Sequence, residues 1–510
     1  MYFSEAPRWA AEAIRLRPEL RHRSLTPTGL IRIEADPTAW QGWKAVPAGP
    51  LEEVFDVELP RSWSYTFDFG EYCVGYIEIG FGFSRRIDAP FRFRIKLAET
   101  PFEMASDFDS YRGGLGRGWL QEESFVFDAP PPVIRLPRRY AFRYLRLTVE
   151  SNSSYYAVSL KSLRCDAVSS ADPDRLTSLP TGCDELDRSI DRIGSATLAA
   201  CMQTCYEDGP KRDRRLWLGD LRLQALADYT RFRNFNLIRR CLLLFAAATD
   251  EEGRVPACVY PDEPMPAAGN FIFDYGVLFG DILLDHLRAG GDIGFIRDLW
   301  PVAKRQCELA LEDFEDDLFL DRHRHWLFID WQDGLEKECA IQGVVTYAFA
   351  RTGELAAELG CEAEVLEYPV IAARMRAAAR EKWFDERAGF FRSGASRQLS
   401  WASQIWMALA GTLTEAETID LLRRTIAGTG LVKPGGPYLY NQMVLALERA
   451  GLHDDARRLT RDYWGKMAEL GADTFWEVFL PEEPLRTPYG DPMVNSHCHA
   501  WSTPVYHFRA

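Results

Sequence analysis

With 510 residues the chain has room for two to four domains of about 150 residues each, and for a sizeable core. Apolar residues make up 47% and charged residues 26%, which excludes a disordered or fibrous chain. The formal net charge of −15 repels phosphate backbones and no long basic run offsets it, so no nucleic-acid partner is expected.

The longest apolar run, Cys241 to Ala248, is far too short to cross a bilayer, so no membrane partner is expected. The opening MYFSEAPRWAAEAIRLRPELRHRS lacks the apolar centre of a secretory signal. Eleven scattered cysteines without a CxxC pair fit reduced thiols and a cytoplasmic protein. A homo-oligomer is compatible with this composition.

Residues 1–165 read as mostly β after a short amphipathic helix over Pro7–Leu20. Alternating apolar residues recur at Leu30–Ile33, Trp63–Phe69, Val74–Ile79, Phe91–Leu97, Tyr144–Val149 and Tyr155–Leu160. Short strands of period two between turn signals predict a β-sandwich. Residues 166–180, rich in Ser, Asp and Pro, read as a linker.

Over 181–510 the period becomes helical. Helices are expected at 183–204, 218–231, 234–249, 272–289, 293–313, 337–359, 362–383, 398–411, 414–427, 437–450, 452–468 and 497–508. Segments 272–289 and 398–411 are apolar around much of their circumference, which suits inner helices of a two-layer arrangement. Twelve helices in about 330 residues predict an (α/α)6 barrel with its cleft at one end.

The densest polar cluster, Tyr206 to Asp220, falls in the loop between the first two of these helices. Its plain alternative is a salt-bridged loop whose Asp208 or Asp220 caps a helix. A second cluster joins Thr474-Phe475-Trp476-Glu477 to Ser496-His497-Cys498-His499-Ala500-Trp501. Its HxH offers a metal only two ligands, so no metal is expected there. Asp274 lies between Phe273 and Tyr275, and Asp330 stands beside Trp331. No nucleophile elbow, P-loop or dinucleotide fingerprint occurs in a matching strand–helix context.

Asp213 and Glu477 lie 264 residues apart, each in a tryptophan-bearing loop of the same helical domain. Glycosidic cleavage needs one protonated carboxyl for the leaving oxygen and one carboxylate that activates water or attacks the anomeric carbon. Tryptophans supply flat apolar faces for sugar C–H groups, although core packing is the alternative for each of them.

The run DGPKRDRRLWLGD at 208–220 resembles the signature of glycoside hydrolase family 78, the α-L-rhamnosidases. In that signature an Asp is followed five residues later by the general acid and twelve later by a Gly-Asp. TFWE at 474–477 resembles the motif whose Glu is the general base, and SHCHAWS at 496–502 the stretch whose His contacts the sugar. Phe67-Asp68-Phe69-Gly70, Gly75-Tyr76-Ile77-Glu78, Leu97-Ala98-Glu99 and Phe142-Arg143-Tyr144 resemble the family's sandwich domain, so the likeness covers roughly 60–508.

The resemblance implies an inverting exo-glycosidase acting on a terminal α-L-rhamnosyl or related sugar without a metal or organic cofactor. Asp213 is then the acid and Glu477 the base. Asp208, Arg212, Trp217, Asp220, Asp274, Asp330, Trp331, Trp476, His499 and Trp501 are expected to form the sugar site. Two departures stand out. The family's acid is usually Glu rather than the shorter Asp213, and its C-terminal β-sandwich is expected to be absent. The competing readings are another glycosidase on the six-hairpin fold and a non-catalytic sugar-binding relative. For Asp213 to hold a proton, the neighbouring arginines are expected to turn outward or bind Glu207.

Overall fold

The computed structural model describes residues 2–151, 153–261, 266–506 and 508. The N-terminal sheet-rich domain contains β1 (Arg21–Leu25), β2 (Gly29–Ala35), β3 (Trp43–Gly49), β4 (Trp63–Phe83), β5 (Phe91–Ala98), β6 (Glu122–Phe127), β7 (Val133–Arg135), β8 (Tyr140–Ser151) and β9 (Val158–Ser169). They run in the order β1-β9-β4-β8-β5-β6, with β2 and β7 also pairing β4, and β3 pairing β2.

One hydrogen-bonded network thus joins all nine strands of the region that was expected to be a β-sandwich. The reason is β4, which is 21 residues long. Its first part pairs β2 and β8, and beyond a register break between Asp68 and Cys73 it runs along β9 and β7. Alternate residues such as Phe67, Phe93, Leu147 and Leu160 fill the core that the network encloses. β9 extends to Ser169, into the expected linker, because β1 pairs with Cys165–Ser169.

Helix α1 (Ala6–Arg15) does not join the sheet. It packs on α5 (Phe235–Ala247), and Trp9 and Ala13 enter the helical core. The short α2 (Pro101–Ala105), capped by Thr100, follows β5. The helical part then comprises α3 (Glu185–Cys201), α4 (Leu218–Asp228), α5, α6 (Phe273–Val277), α7 (Phe279–Arg288), α8 (Ile293–Leu311) and α9 (Glu338–Leu359). It continues with α10 (Tyr368–Trp383), α11 (Trp401–Leu409), α12 (Glu415–Ala427), α13 (Pro437–Arg449) and α14 (His453–Glu469).

Packing follows the chain: α4 touches α7, α7 touches α9, α9 touches α11, and α11 touches α13. The expected inner segments appear here as α7 and α11, both largely buried. The helix expected over 272–289 is interrupted at Leu278, which separates α6 from α7. The helix expected over 497–508 does not form. Its residues make a 3-10 turn at Ala500–Ser502 and then irregular chain, with residue 507 outside the described residues. Backbone groups here bond across the fold: His499 N–H donates to Phe475, and Trp501 and Thr503 carbonyls accept from the Asn441 amide. The turn touches both α13 and α4, so it closes the ring at the position a helix was expected to fill. Among the described residues, no helix is long and apolar enough to cross a membrane.

Candidate active site

Helix α3 starts in a capping box between Asp184 and Asp187 and ends at Met202, where the chain turns into the polar loop. Asp208 holds that loop closed. Its N–H donates to the Arg215 carbonyl at 3.0 Å, and its carboxylate accepts from Asp213 N–H and Arg215 N–H, each at 3.1 Å. The Ala500 N–H donates to the Asp208 carbonyl at 2.9 Å, which ties this loop to the C-terminal one. Gly209 allows the approach, since a Cβ there meets Arg212 O at 2.5 Å and Ser496 Oγ at 2.7 Å.

The sheet-rich domain supports the loop from behind. Arg139 donates to both oxygens of Glu207 at 2.7 Å. Lys211 is fully buried against Glu99 at 2.9 Å and Glu103 at 3.3 Å. Burial alone pushes Glu99 up, but Lys211 and then His497 bring it down to about 2.

These constraints bring Asp208, Arg212, Asp213, Trp217, Asp220, Trp331, Glu477, His499 and Trp501 onto one cavity of about 280 Å³. Arg212 is its electrostatic centre. One terminal nitrogen donates to Oε2 of Glu477, and the other lies 3.5 Å from Oδ1 of Asp213. Arg212 Nε donates to Val494 O at 3.0 Å, and the guanidinium lies 4.3 Å from the Tyr489 ring centre. The Tyr489 hydroxyl donates to Oε1 of Glu477. Trp501 Nε1 donates to the Glu477 carbonyl at 3.1 Å, and Glu477 N–H donates to Ser496 O at 3.0 Å.

The arrangement of the arginines corrects the sequence expectation. Arg212 turns inward to Glu477 and Asp213, and Glu207 is taken by Arg139 from β8's approach. Arg214 donates to Pro210 O at 2.8 Å, and Arg215 lines the cavity with its guanidinium 4.5 Å from the centre of the exposed Tyr260 ring.

His499 stands between three carboxylates: Nδ1 is 3.6 Å from Asp220, and Nε2 is 4.0 Å from both Asp208 and Glu477. Burial, reinforced by the Arg212 cation, holds the imidazole well below the usual histidine range, so it is neutral near pH 7. Burial and then the Asp213 charge push Asp208 up to about 8. Burial, with Asp208 and Glu477 adding like charge, pushes Asp220 well above the usual carboxylate range. His499 Nδ1 and Asp220 Oδ1 are buried, face each other at 3.6 Å and make no hydrogen bond in the structure.

Asp274, Asp330 and Trp476 are placed beside the cavity and do not line it. Asp274 accepts from Phe328 N–H at 2.8 Å and Ile329 N–H at 3.0 Å, and Asp330 accepts from Gly435 N–H at 2.5 Å. Together they shape the loop that presents Trp331. Trp476 stacks on Trp40 with ring centres 5.0 Å apart. The two histidines of the HxH do not converge on one point, because His497 faces Glu99 and Gln41. Tyr489, Trp326, Ile272 and Leu115 complete the wall and were not anticipated, together with Arg215 of the polar loop and with Tyr275 and Phe328, which belong to the stretches around Asp274 and Asp330 that the sequence singled out. Trp326 lies five residues before Trp331 in the same loop, which was the one available signal.

Residues 27–167 match the glycosyl hydrolase family 78 alpha-rhamnosidase N-terminal domain. Residues 177–509 match the bacterial alpha-L-rhamnosidase 6 hairpin glycosidase domain. A rhamnosidase from Klebsiella oxytoca, solved with rhamnose bound, is 39% identical with a TM-score of 0.94, covering 99% of this chain and 98% of that one. A family 78 rhamnosidase of Bacillus sp. GL1 shares the fold at 21% identity and a TM-score of 0.76, over 92% of this chain and 49% of that one. The α-L-rhamnosidase of Streptomyces avermitilis, complexed with L-rhamnose, shares it at 16% identity and 0.68, over 96% and 44%. No curated protein matches by sequence. A six-hairpin glycosidase domain behind a sheet-rich domain, with two family matches across nearly the whole length, shows that the chain belongs to glycoside hydrolase family 78 and is a rhamnosidase-like glycoside hydrolase.

Proposed function

We propose that the protein is an inverting, exo-acting α-L-rhamnosidase with Asp213 as general acid and Glu477 as general base. The observation that carries this reading is the Arg212 guanidinium, which holds both carboxylates at one cavity. We also read the closed ring of helices as an (α/α)6 barrel with that cavity at its mouth.

The cavity of about 280 Å³ is smaller than the ~300–1,000 Å³ pockets that take drug-sized ligands, which suits one terminal sugar ring. Asp208, Asp220 and His499 supply polar atoms for its hydroxyls. Trp217, Trp331 and Trp501 supply apolar faces. Asp213, with an 18% exposed side chain, reaches toward the open side where a leaving group departs, whereas Glu477 is 3% exposed.

In the reaction, Asp213 gives its proton to the glycosidic oxygen as the bond to the anomeric carbon breaks. A water attacks that carbon from the opposite face and Glu477 takes the water's proton. Arg212 and Tyr489 orient Glu477 toward that water. A panel of aryl glycosides tests the reading. Turnover of the α-L-rhamnoside that falls by about 10³-fold or more in both Asp213→Asn and Glu477→Gln supports it. Saturable rhamnose binding without turnover in the unaltered protein contradicts it.

A further inference from the structure

We propose that Asp313, His323 and His325 bind one zinc-class divalent cation, and that this ion fastens a wall of the main cavity. The three residues lie in the segment after α8. Asp313 follows that helix, a short hairpin pairs Phe314–Glu315 with Leu318–Phe319, and the returning loop carries both histidines.

One ligand atom from each residue lies within 4.8 Å of the others. His323 Nδ1 is 3.1 Å from both Asp313 oxygens, and His325 Nε2 is 2.7 Å from Oδ2. A tetrahedral ion with bonds of about 2.0–2.2 Å needs only small shifts of such a set, and each neutral imidazole binds it through the nitrogen that faces Asp313 while the other ring nitrogen carries the proton. The Asp313 side chain is 1% exposed and accepts from the Arg322 and His323 N–H groups, which fix its orientation. The His325 ring stacks on Phe273 at 4.7 Å, which fixes its plane as well.

His323 is more than half exposed, and the cluster opens on a side cavity of about 170 Å³, so an ion has a way in. Two imidazoles and one carboxylate suit zinc and its neighbours, whereas calcium and magnesium take all-oxygen sites. The ligand loop runs directly into Trp326, which lines the main cavity. The Trp326 carbonyl accepts from Phe273 N–H at 3.1 Å, and Ile272 lines both cavities. An ion at the cluster therefore anchors the Trp326 loop to the end of α8. The chemistry assigned to Asp213 and Glu477 does not pass through it.

The test uses the full chain, stripped by a chelator and titrated with Zn²⁺ by calorimetry and with Co²⁺ by visible absorption. The expected result is one ion per chain with the absorption of a low-coordinate cobalt site. Affinity should fall at least about tenfold in His323→Ala and in His325→Ala. It should be unchanged in His453→Ala, whose imidazole pairs with Glu448 at the surface. His323 is exposed, so its variant keeps the fold, which circular dichroism checks. Binding that persists in the double variant His323→Ala/His325→Ala, or no binding at all, overturns the site. Zinc should also alter tryptophan fluorescence in the unaltered chain but not in Trp326→Phe. Zinc bound with no such difference overturns the anchoring.

Discussion

Arg212 and Glu477 form an ion pair inside the cavity with only 2% and 3% of their side chains exposed. Burial works against the Arg212 charge, and Glu477, Tyr489 and Asp213 together hold it well above the ordinary arginine range. Removing one partner of such a pair leaves an uncompensated buried charge, at a cost of about 3–5 kcal/mol. Arg212→Met also leaves Glu477 without the partner that orients it, so it should lower kcat/KM on an aryl α-L-rhamnoside by about 100-fold or more. Arg212→Lys should recover only a small part, because one ammonium cannot face both carboxylates in a fixed plane. Steady-state kinetics of the two variants check this, and full activity in the lysine variant contradicts it.

Asp213→Glu restores the residue usual in the family at this position, yet it should lower kcat. Asp208 clamps the loop through two backbone N–H groups, and Gly209 packs against Arg212 O and Ser496 Oγ. The backbone cannot retract to absorb another methylene, and misplacement of about 1 Å can cost on the order of 10²-fold. A gain in kcat would show instead that the aspartate is a weakened acid.

Much of this site was visible in the sequence, because paired motifs in long loops carry chemistry whatever the exact backbone path. Asp208, Asp213, Asp220, Glu477 and His499, which the resemblance to family 78 brought together, line one cavity. Tyr489 and Trp326 were not visible, since each is a lone aromatic whose direction depends on tertiary packing. Helix limits followed from apolar periodicity, as at α9 and α13. The stretch after His499 carries apolar residues at helical spacing, but its backbone groups bond to Phe475, Asn441 and Asp208 rather than along a helix. Those partners are remote in sequence, so no local pattern marks them. The joined sheet was equally hidden, because it depends on β4 continuing through its register break.

Lys211→Met should destabilise the whole protein and not only its active site. It leaves Glu99 and Glu103 buried without their cation, at a cost of about 3–5 kcal/mol. Thermal unfolding should show a Tm lowered by several degrees. An unchanged Tm would mean that the two domains do not depend on this triad.

Asp208 makes stability depend on pH in a definite direction. Its folded value of about 8 lies above the ordinary 3.8, so the folded state binds the extra proton between those limits. Its contribution is full below about pH 4 and is lost as pH rises toward about 8. Asp208→Asn removes this titration, so the variant's stability should fall less between pH 4 and pH 8 than that of the unaltered chain. Denaturant midpoints across that range measure the difference, and parallel curves for the two proteins would contradict it.

The pairing of Asp213 and Glu477 makes a stereochemical claim: water attacks opposite the leaving group, so the anomeric configuration inverts. Proton NMR of an α-L-rhamnoside digest, read in the first minutes before mutarotation, tests this most directly. β-L-Rhamnose should appear first and the α-anomer later. Initial release of α-L-rhamnose would demand a covalent intermediate on one of the two carboxylates and would contradict the assignment of Glu477 as a base acting on water.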